Sequence, residues 1–228
     1  MMTKIYLIRH GETEGAESRR YKGHIDVPLS ENGIEQIKRV SEYLFKNTDT
    51  PPIPPLVRGG NGGVDAVYCS DLSRAKKSAE IIAGPHGLKP VIVKGLKERS
   101  FGVWEGMSFD EIKMRWPDAF NAWAANPLKF SPMDGESTLD VRDRGMKAFN
   151  EIAEKHDGQN IAIVSHGGVI RVILCELLGI PLENIFRIEQ DFAALNVIEM
   201  WDYPVVKLIN CRIQNPDIRT QTKEGTNA

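Results

Sequence analysis

Short apolar runs that alternate with helical segments constrain the fold of this chain more than any other feature. Four such runs occupy residues 4–9, 64–69, 91–93 and 161–164. Runs of this length, apolar at nearly every position, are typical of strands that are covered on both faces, as in a parallel sheet. The order of elements predicts an α/β fold: a three-layer sandwich whose mainly parallel sheet carries helices on both faces.

The helical segments have recognisable ends. In the first, over residues 30–47, apolar residues recur with a helical period, Ser30 is expected to cap the start, and Glu31 suits the positive end of the dipole. Three further helices are predicted over residues 72–83, 138–155 and 168–178. Gly179 is expected to end the last of them. Two more strands are predicted over residues 194–201 and 205–209.

One domain is expected over residues 1–212, with a small helical lid inserted at about residues 101–135. This insertion contains two short helix-like pieces and most of the tryptophans. Its aromatic residues are expected to form a small core of their own, with the lining of a ring-binding pocket as the alternative: Phe101, Trp104, Trp116 and Trp123. The Pro-rich and Gly-rich residues 48–63 are interpreted as a surface excursion. The polar tail, residues 213–228, is expected to be disordered.

The composition argues against several partners. The chain has 228 residues and a formal net charge of −2, so neither a nucleic acid nor a membrane surface is expected to bind it. No stretch approaches the roughly 18 apolar residues of a membrane span, and the first ten residues do not resemble a signal peptide. The cysteines Cys69, Cys175 and Cys211 lie far apart in apolar runs, which favours buried thiols and a cytoplasmic location.

Polar motifs follow the ends of four predicted strands. They are Arg9-His10-Gly11-Glu12-Thr13, Ser70-Asp71-Leu72-Ser73-Arg74, Leu96-Lys97-Glu98 and Ser165-His166-Gly167-Gly168. In a parallel sheet, ligands bind beyond the carboxyl ends of the strands, so these motifs are expected to share one pocket. The remaining histidines, His24, His86 and His156, show no partner in the sequence and are interpreted as surface residues.

This set of side chains suits phosphoryl transfer. A phosphomonoester carries close to two negative charges, which arginine forks neutralise and orient. A neutral imidazole is a competent nucleophile towards phosphorus, and a carboxylic acid beside the ester oxygen can protonate the leaving group. The backbone N–H groups of Gly167 and Gly168, at a helix start, are expected to supply further donors to the phosphoryl oxygens.

The same motifs resemble those of the histidine phosphatase (phosphoglycerate mutase-like) superfamily. The resemblance rests on RHGET at 9–13, SDLSRA at 70–75, LKERSFGVWEG at 96–106 and SHGG at 165–168, in the family's order. It implies an α/β sandwich and no metal cofactor. It also implies that His10 is the phosphohistidine nucleophile and Glu98 the proton donor, with Arg9, Arg74 and His166 completing the catalytic set.

The resemblance extends to substrate contacts. RYKG at 20–23 is similar to a family segment beside the pocket, so the expected substrate-binding residues are Arg9, Thr13, Lys22, Gly23, Arg74, Glu98 and Gly167. One departure is visible at Gly15-Ala16. Many members have Trp-Asn there, and the missing Asn removes a usual donor.

The residues after Glu98 distinguish branches of the family. Mutases carry a Tyr-Gly-Gly-Leu-Thr-Gly-Leu-Asn-Lys-like segment, whereas residues 99–106 here read RSFGVWEG and resemble the phosphatase branch. The expected activity is hydrolysis of a small phosphomonoester, with alpha-ribazole 5'-phosphate as one candidate. A phosphoglycerate mutase and a non-catalytic phosphate-binding or partner-binding module remain alternatives. A homodimer is compatible with the sequence.

Overall fold

A computed structural model describes residues 1–18, 20–46 and 63–214 of the chain. In this part the strands are β1 Thr3–Arg9, β2 Ala66–Cys69, β3 Val91–Ile92, β4 Asn160–Ser165, β5 Leu195–Met200 and β6 Pro204–Cys211. They form one sheet in the order β3-β2-β4-β1-β5-β6. The first four strands in this order are parallel, whereas β5 and β6 join as antiparallel neighbours, which agrees with the mainly parallel sheet that was predicted.

The α-helices of the described residues are α1 Glu31–Lys46, α2 Ser73–Ala83, α3 Phe109–Arg115, α4 Pro117–Ala125, α5 Thr138–Glu154 and α6 Gly167–Leu178. Short 3₁₀ helices occupy Ala16–Ser18, Gly84–His86, Lys94–Leu96, Gly102–Trp104 and Leu182–Arg187. Ser30 Oγ accepts the Gly33 N–H at 3.0 Å, so the predicted cap of α1 is confirmed. Gly179, in the left-handed conformation at φ 63°, ends α6 as predicted.

Helices cover both faces of the sheet, and each face has its own apolar core. On one face, α5 and α6 pack against the strands through residues such as Phe149, Ile152 and Ile173. On the other face, α1 and α2 do the same through residues such as Ile37 and Ile82. Complete burial of one such side chain contributes about 1.5–3 kcal/mol. The predicted three-layer sandwich is therefore confirmed.

The register of the sheet brings the polar motifs to one edge. In β1 and β4, Arg9 is paired with Ser165, and in β2 and β4, Cys69 is paired with Val164. These three strands therefore end at the same level. The residues that follow them, His10, Ser70 and His166, emerge side by side from the middle of the sheet.

The insertion folds into two short helices above this edge. Its core of buried residues is Trp104, Ile112 and Phe120, with Trp116 and Trp123 packed against it. Helix α3 begins with a capping box, in which the Ser108 side chain accepts from the Glu111 N–H and the Glu111 side chain accepts from the Ser108 N–H. The aromatic residues therefore hold the insertion together, as expected.

Parts of the sequence predictions fall outside the described residues. This applies to the surface excursion at 48–63, of which only Gly63 is described, and to the tail from residue 215 onwards. The cysteines are free thiols; Cys69 and Cys175 are buried and Cys211 is half-buried.

The prediction that three histidines lie on the surface without partners is wrong. His86 and His156 are half-buried: His86 Nδ1 accepts the Val64 N–H at 3.3 Å, and His156 Nε2 lies 2.7 Å from the Tyr68 hydroxyl. His24 is half-buried and lies beside the polar edge of the sheet. These partners come from distant parts of the chain, so local sequence carries no sign of them.

Candidate active site

His10 is fixed by the residues on either side of β1. Its backbone N–H donates to the Ser165 carbonyl at 3.1 Å, and its carbonyl accepts the Ala193 N–H at 3.0 Å. The ring nitrogen Nδ1 lies 2.7 Å from the Gly11 carbonyl oxygen. Because a carbonyl can only accept, Nδ1 carries the hydrogen, and in the neutral ring Nε2 keeps its lone pair. The ring is thus oriented as a nucleophile that attacks through Nε2.

His166 lies beside His10 with its ring centroid 5.0 Å away. It is fully buried, and its Nε2 lies 2.6 Å from Ser70 Oγ. Its Nδ1 is buried and has no hydrogen-bond partner among the described residues. A buried polar atom without a partner is costly, so this nitrogen is suited to a ligand that enters the site.

Two arginines reach the same place from different elements. Arg9, at the end of β1, donates from Nη1 to the Gln190 carbonyl at 2.5 Å and stacks on Phe192, while its Nε is buried without a partner in the described part of the chain. Arg74, in the first turn of α2, donates to the Ile25 and Gly23 carbonyls at 2.9 and 2.7 Å. Backbone carbonyls therefore fix both guanidinium groups without neutralising their charge.

Glu98 faces the start of α6. Its Oε2 accepts the Gly168 N–H at 3.2 Å, and its Oε1 accepts the Arg99 N–H at 2.9 Å. The Gly168 N–H, expected to face a phosphoryl oxygen, therefore binds Glu98 instead. A side chain at Gly168 would collide with the carboxylate, since its Cβ would lie 2.5 Å from Glu98 Oε1.

Two side chains bind the backbone carbonyl of Glu98. Its carbonyl oxygen accepts from His24 Nε2 at 2.7 Å and from Arg144 Nη2 at 3.0 Å. Arg144 also binds the Glu136 carboxylate through two nitrogens, at 2.6 and 2.8 Å. A polar network that the sequence patterns did not reveal therefore positions the backbone that carries the Glu98 carboxylate.

The electrostatics of the site favour neutral imidazoles and bound anions. Burial, together with the positive charges of Arg9 and Arg74, holds the pKa of His10 well below its ordinary value. Burial, with His10 and Arg74, does the same to the pKa of His166. Burial lowers the pKa of Arg9 to about 10, which leaves it charged at neutral pH. The site therefore presents neutral histidines inside a shell of positive charge.

The other expected substrate contacts are Thr13, Lys22, Gly23 and Gly167. Lys22 Nζ donates to Thr13 Oγ1 at 2.7 Å, and its charge contributes to the lowered pKa of His10, so this pair lies close to the site. Gly23 has a positive φ of 48° and contributes its carbonyl to Arg74. Gly167 is the first residue of α6, next to Glu98.

A cavity of about 370 Å³ opens beside this cluster. Its polar wall includes Arg9, Glu98, Arg99, Thr138 and Arg171, together with Gly167 and Gly168. Its apolar wall comes largely from the insertion, and includes Phe101, Trp104 and Trp123 but not Trp116. Several of the aromatic residues therefore both pack the insertion and line the cavity, whereas binding of a ring there stays a prediction.

Sequence comparison places the chain in a known family. The model of the Histidine phosphatase superfamily (branch 1) matches residues 5–53 and 56–211. The chain belongs to this superfamily. Phosphoserine phosphatase 1 of Hydrogenobacter thermophilus is 30% identical over 199 residues, 87% of this chain and 87% of that protein.

Two further relatives of this histidine phosphatase support the same assignment. The adenosylcobalamin/alpha-ribazole phosphatase of Salmonella typhimurium is 28% identical over 212 residues, 92% of this chain and 96% of that protein. The crystal structure of the alpha-ribazole phosphatase from Shigella flexneri aligns with a TM-score of 0.78 at 28% identity, covering 92% and 96% of the two chains. Fold and family together identify a phosphomonoester hydrolase.

The described part of this histidine phosphatase contains neither a metal-binding group of side chains nor a membrane-spanning helix. No three histidine, cysteine, aspartate or glutamate side chains there are grouped so that they would hold a metal ion. None of the helices there has both the length and the apolar character that a membrane crossing requires.

Sequence reasoning missed four residues of the histidine phosphatase site: Ser70, His24, Arg144 and Arg171. Ser70 stood within a recognised motif but had no role assigned to it. His24 and Arg144 act through backbone carbonyls, for which sequence has no signature. Arg171 did leave a signal, because it is the first charged residue in the otherwise apolar start of α6, one helical turn after Gly167.

Proposed function

We propose that this protein hydrolyses small phosphomonoesters through a phosphohistidine formed on His10, without a metal ion. The observation that carries the proposal is the hydrogen bond from His10 Nδ1 to the Gly11 carbonyl. It leaves Nε2 with its lone pair, and the lowered pKa keeps that lone pair free of a proton at neutral pH. No general base is needed to activate this nucleophile.

In the first step, Arg9, Arg74 and His166 Nδ1 bind the phosphoryl oxygens. His10 Nε2 attacks phosphorus, and the bond to the ester oxygen breaks. Protonated Glu98 gives its proton to that oxygen, so the alcohol leaves neutral. Because the guanidinium groups are already fixed by backbone carbonyls, little reorganisation is required as charge develops on the phosphoryl group.

In the second step, water attacks the phosphohistidine. Glu98, now a carboxylate, takes a proton from the water as its oxygen bonds to phosphorus and the bond to Nε2 breaks. Inorganic phosphate leaves, and the neutral imidazole and the protonated acid are restored. In this proposal, water approaches from the cavity that Glu98 and Arg9 line.

The organic part of the substrate would occupy the cavity, against the aromatic side chains of the insertion. Alpha-ribazole 5'-phosphate is one candidate, because a flat ring would stack on such a wall, and two relatives are named for that substrate. O-phosphoserine is another, since it is the substrate in the name of a relative that matches most of the chain. Both belong in a panel with 3-phosphoglycerate, sugar phosphates and nucleotides.

A rapid-quench experiment tests the mechanism. Brief incubation with a radiolabelled substrate should give a phosphoprotein that is lost in acid and stable in alkali, as expected for phosphohistidine. The His10→Ala variant should carry no label and lose at least about a thousandfold in kcat. Alkali-labile, acid-stable label would assign the nucleophile to another residue, and full activity in a folded His10→Ala variant would refute the mechanism.

Product analysis of the same panel separates the two enzymatic alternatives. Release of inorganic phosphate supports the phosphatase. Isomerisation of 3-phosphoglycerate that depends on a bisphosphate primer would instead select the mutase, and no turnover of any member would select a binding module.

A further inference from the structure

Arg171 is a guanidinium group beside the phosphoryl site that the proposed mechanism does not use. Arg99 also lines the cavity, but its nitrogens donate to the Glu136 and Phe130 carbonyls and to the Thr138 hydroxyl. Arg171 lies on α6, lines the cavity, and is held by one hydrogen bond from Nε to the Ile188 carbonyl at 2.7 Å. Its two terminal nitrogens have no hydrogen bond or ion pair with any of the described residues. A half-buried arginine whose terminal nitrogens are free towards a cavity is well suited to bind an anion.

The position of Arg171 places its charge next to the site but on the cavity side. A Cβ built at Gly167 would lie 3.3 Å from Arg171 Nη1 and 3.5 Å from Arg9 Nε, so both groups flank the start of α6. Each lies in the other's field: the charge of Arg171 contributes to the lowered pKa of Arg9. Two like charges held this close are unfavourable until anions arrive.

Arg171 is not required to neutralise the phosphoryl group. The two charges of a phosphomonoester are matched by Arg9 and Arg74, which backbone carbonyls hold in place. Glu98 and Glu189 act on Arg171 only at a distance. Burial lowers the pKa of its guanidinium and their charges raise it, but neither carboxylate forms an ion pair with it, and that of Glu98 is hydrogen-bonded to the N–H groups of Arg99 and Gly168.

We propose that Arg171 determines specificity by binding a carboxylate on the organic part of the substrate, so that the preferred substrates are phosphomonoesters of small carboxylic acids. The proposal rests on the hydrolase function proposed above and names its substrate class. Arg171 Nη1 and Arg9 Nε both lie within 3.5 Å of the Cβ position at Gly167, so the two guanidinium groups are neighbours. This closeness suits a molecule in which only a few bonds join the phosphate to the carboxylate.

Two matched pairs of substrates test this role. O-phosphoserine and O-phosphoethanolamine differ by one carboxylate, and 3-phosphoglycerate differs from glycerol 3-phosphate by a carboxylate in place of a hydroxymethyl group. The quantity to compare is the ratio of kcat/KM within each pair, for the wild type and for Arg171→Met. Because both members are measured on the same preparation, any loss of folded protein cancels in the ratio.

The wild type should prefer the carboxylated member of each pair. Arg171→Met should reduce that preference by at least about tenfold, which is the effect of losing one charge-assisted hydrogen bond, and should change kcat/KM of the carboxylate-free member much less. Arg171→Lys should restore part of the preference, because it keeps the charge but loses the fork. Arg187→Met, which removes an exposed arginine from the neighbouring 3₁₀ helix, should leave the ratio unchanged.

Three outcomes would overturn the proposal. An unchanged ratio with an equal loss of kcat/KM on both members would assign Arg171 to the transferred phosphoryl group. An unchanged ratio with no loss on either member would leave Arg171 without a role in specificity, and a wild-type preference for the carboxylate-free members would exclude the carboxylate. Failure to release phosphate from any phosphomonoester would instead refute the proposed function, and is thus distinguishable from a failure of this inference.

Discussion

Ser70 Oγ lies 2.6 Å from His166 Nε2, so a hydroxyl at the end of β2 orients the histidine at the end of the adjacent strand β4. Ser70 Oγ also accepts the Leu72 N–H at 3.4 Å. The hydroxyl keeps its hydrogen for His166, and when it donates that hydrogen to Nε2 the ring hydrogen of His166 lies on Nδ1. This is the tautomer that donates to a phosphoryl oxygen.

The Ser70→Ala variant should therefore lose activity while keeping the fold. Without the hydroxyl, His166 is free to rotate or to change tautomer, and we expect kcat/KM for p-nitrophenyl phosphate to fall by about tenfold, the effect of one lost hydrogen bond. Steady-state kinetics and circular dichroism measure the two effects. Ser131→Ala, in an exposed part of the insertion, is the control. Unchanged kinetics in Ser70→Ala would show that Ser70 does not position His166.

Glu98→Gln should discriminate between leaving groups. An amide cannot protonate the ester oxygen, so kcat for alkyl phosphates should fall by about 10²–10³-fold. Aryl phosphates such as p-nitrophenyl phosphate need no such proton and should lose much less. The exposed Glu80→Gln variant on α2 is a matched control. Equal losses on both classes of substrate would contradict the role of Glu98 as the acid.

Stability should depend on pH because two neutral imidazoles are buried. The pKa values of His10 and His166 lie well below their ordinary value of 6.5, mainly through burial. Below pH 6.5 the unfolded chain takes up protons that the folded protein does not. As the pH decreases from 6.5, the free energy of unfolding should therefore decrease by up to about 1.4 kcal/mol per pH unit for each histidine. The decrease ends when the pH reaches the pKa of the folded protein.

Chemical denaturation on either side of this range measures the dependence. His10→Gln removes one of the two groups and should show a smaller decrease of stability towards acid pH. If the variant and the wild type lost stability equally, protonation of His10 would not be linked to unfolding.

Backbone atoms of the turn after β1 pack closely against the backbone of α1. A Cβ at Gly33 would lie 2.0 Å from the Glu12 carbonyl oxygen, and a Cβ at Gly11 would lie 2.3 Å from the Gly33 carbonyl oxygen. Gly33→Ala should therefore destabilise the protein by about 1–3 kcal/mol through steric overlap, although alanine normally favours a helix. It should also reduce activity by displacing the residues next to His10.

Gly84→Ala is the control for this substitution. Gly84 has right-handed backbone angles, and a Cβ there would meet nothing within 4 Å. We expect a stabilisation of about 0.4–1 kcal/mol, because alanine restricts the unfolded chain. Thermal denaturation compares the two variants. A Gly33→Ala protein as stable and as active as the wild type would contradict the close packing of the turn.

Much of the fold was predictable because it depends on local pattern. The α-helices and strands outside the insertion begin and end within two residues of their predicted positions, whereas the 3₁₀ helices were not predicted. Apolar periodicity, the Ser30 cap and Gly179 carry that information. The convergence of His10, Arg74 and His166 also followed, since parallel strands present their ends at one edge of a sheet.

What sequence did not reveal depends on contacts between distant segments. His24 and Arg144 bind the backbone carbonyl of Glu98, and Gly33 packs against the backbone carbonyl of Glu12. Any residue at those positions would supply the same carbonyl. The binding of the Gly168 N–H by Glu98 was missed for the same reason. Sequence identifies the side chains that can take part in the reaction, but the groups that position them are visible only in the folded protein.

The place of β1 in the sheet has a consequence for how the chain acquires its structure during synthesis. Its neighbours are β4 and β5, which both belong to the last third of the chain. The segment that ends in His10 has no partner strand until β4, at Asn160–Ser165, has also been synthesised. Pairing over such a sequence separation is slow, and until then an apolar strand stays exposed to chaperones and to aggregation. Strand β1 therefore takes its place only after β4 is available, and activity requires that this late pairing is complete.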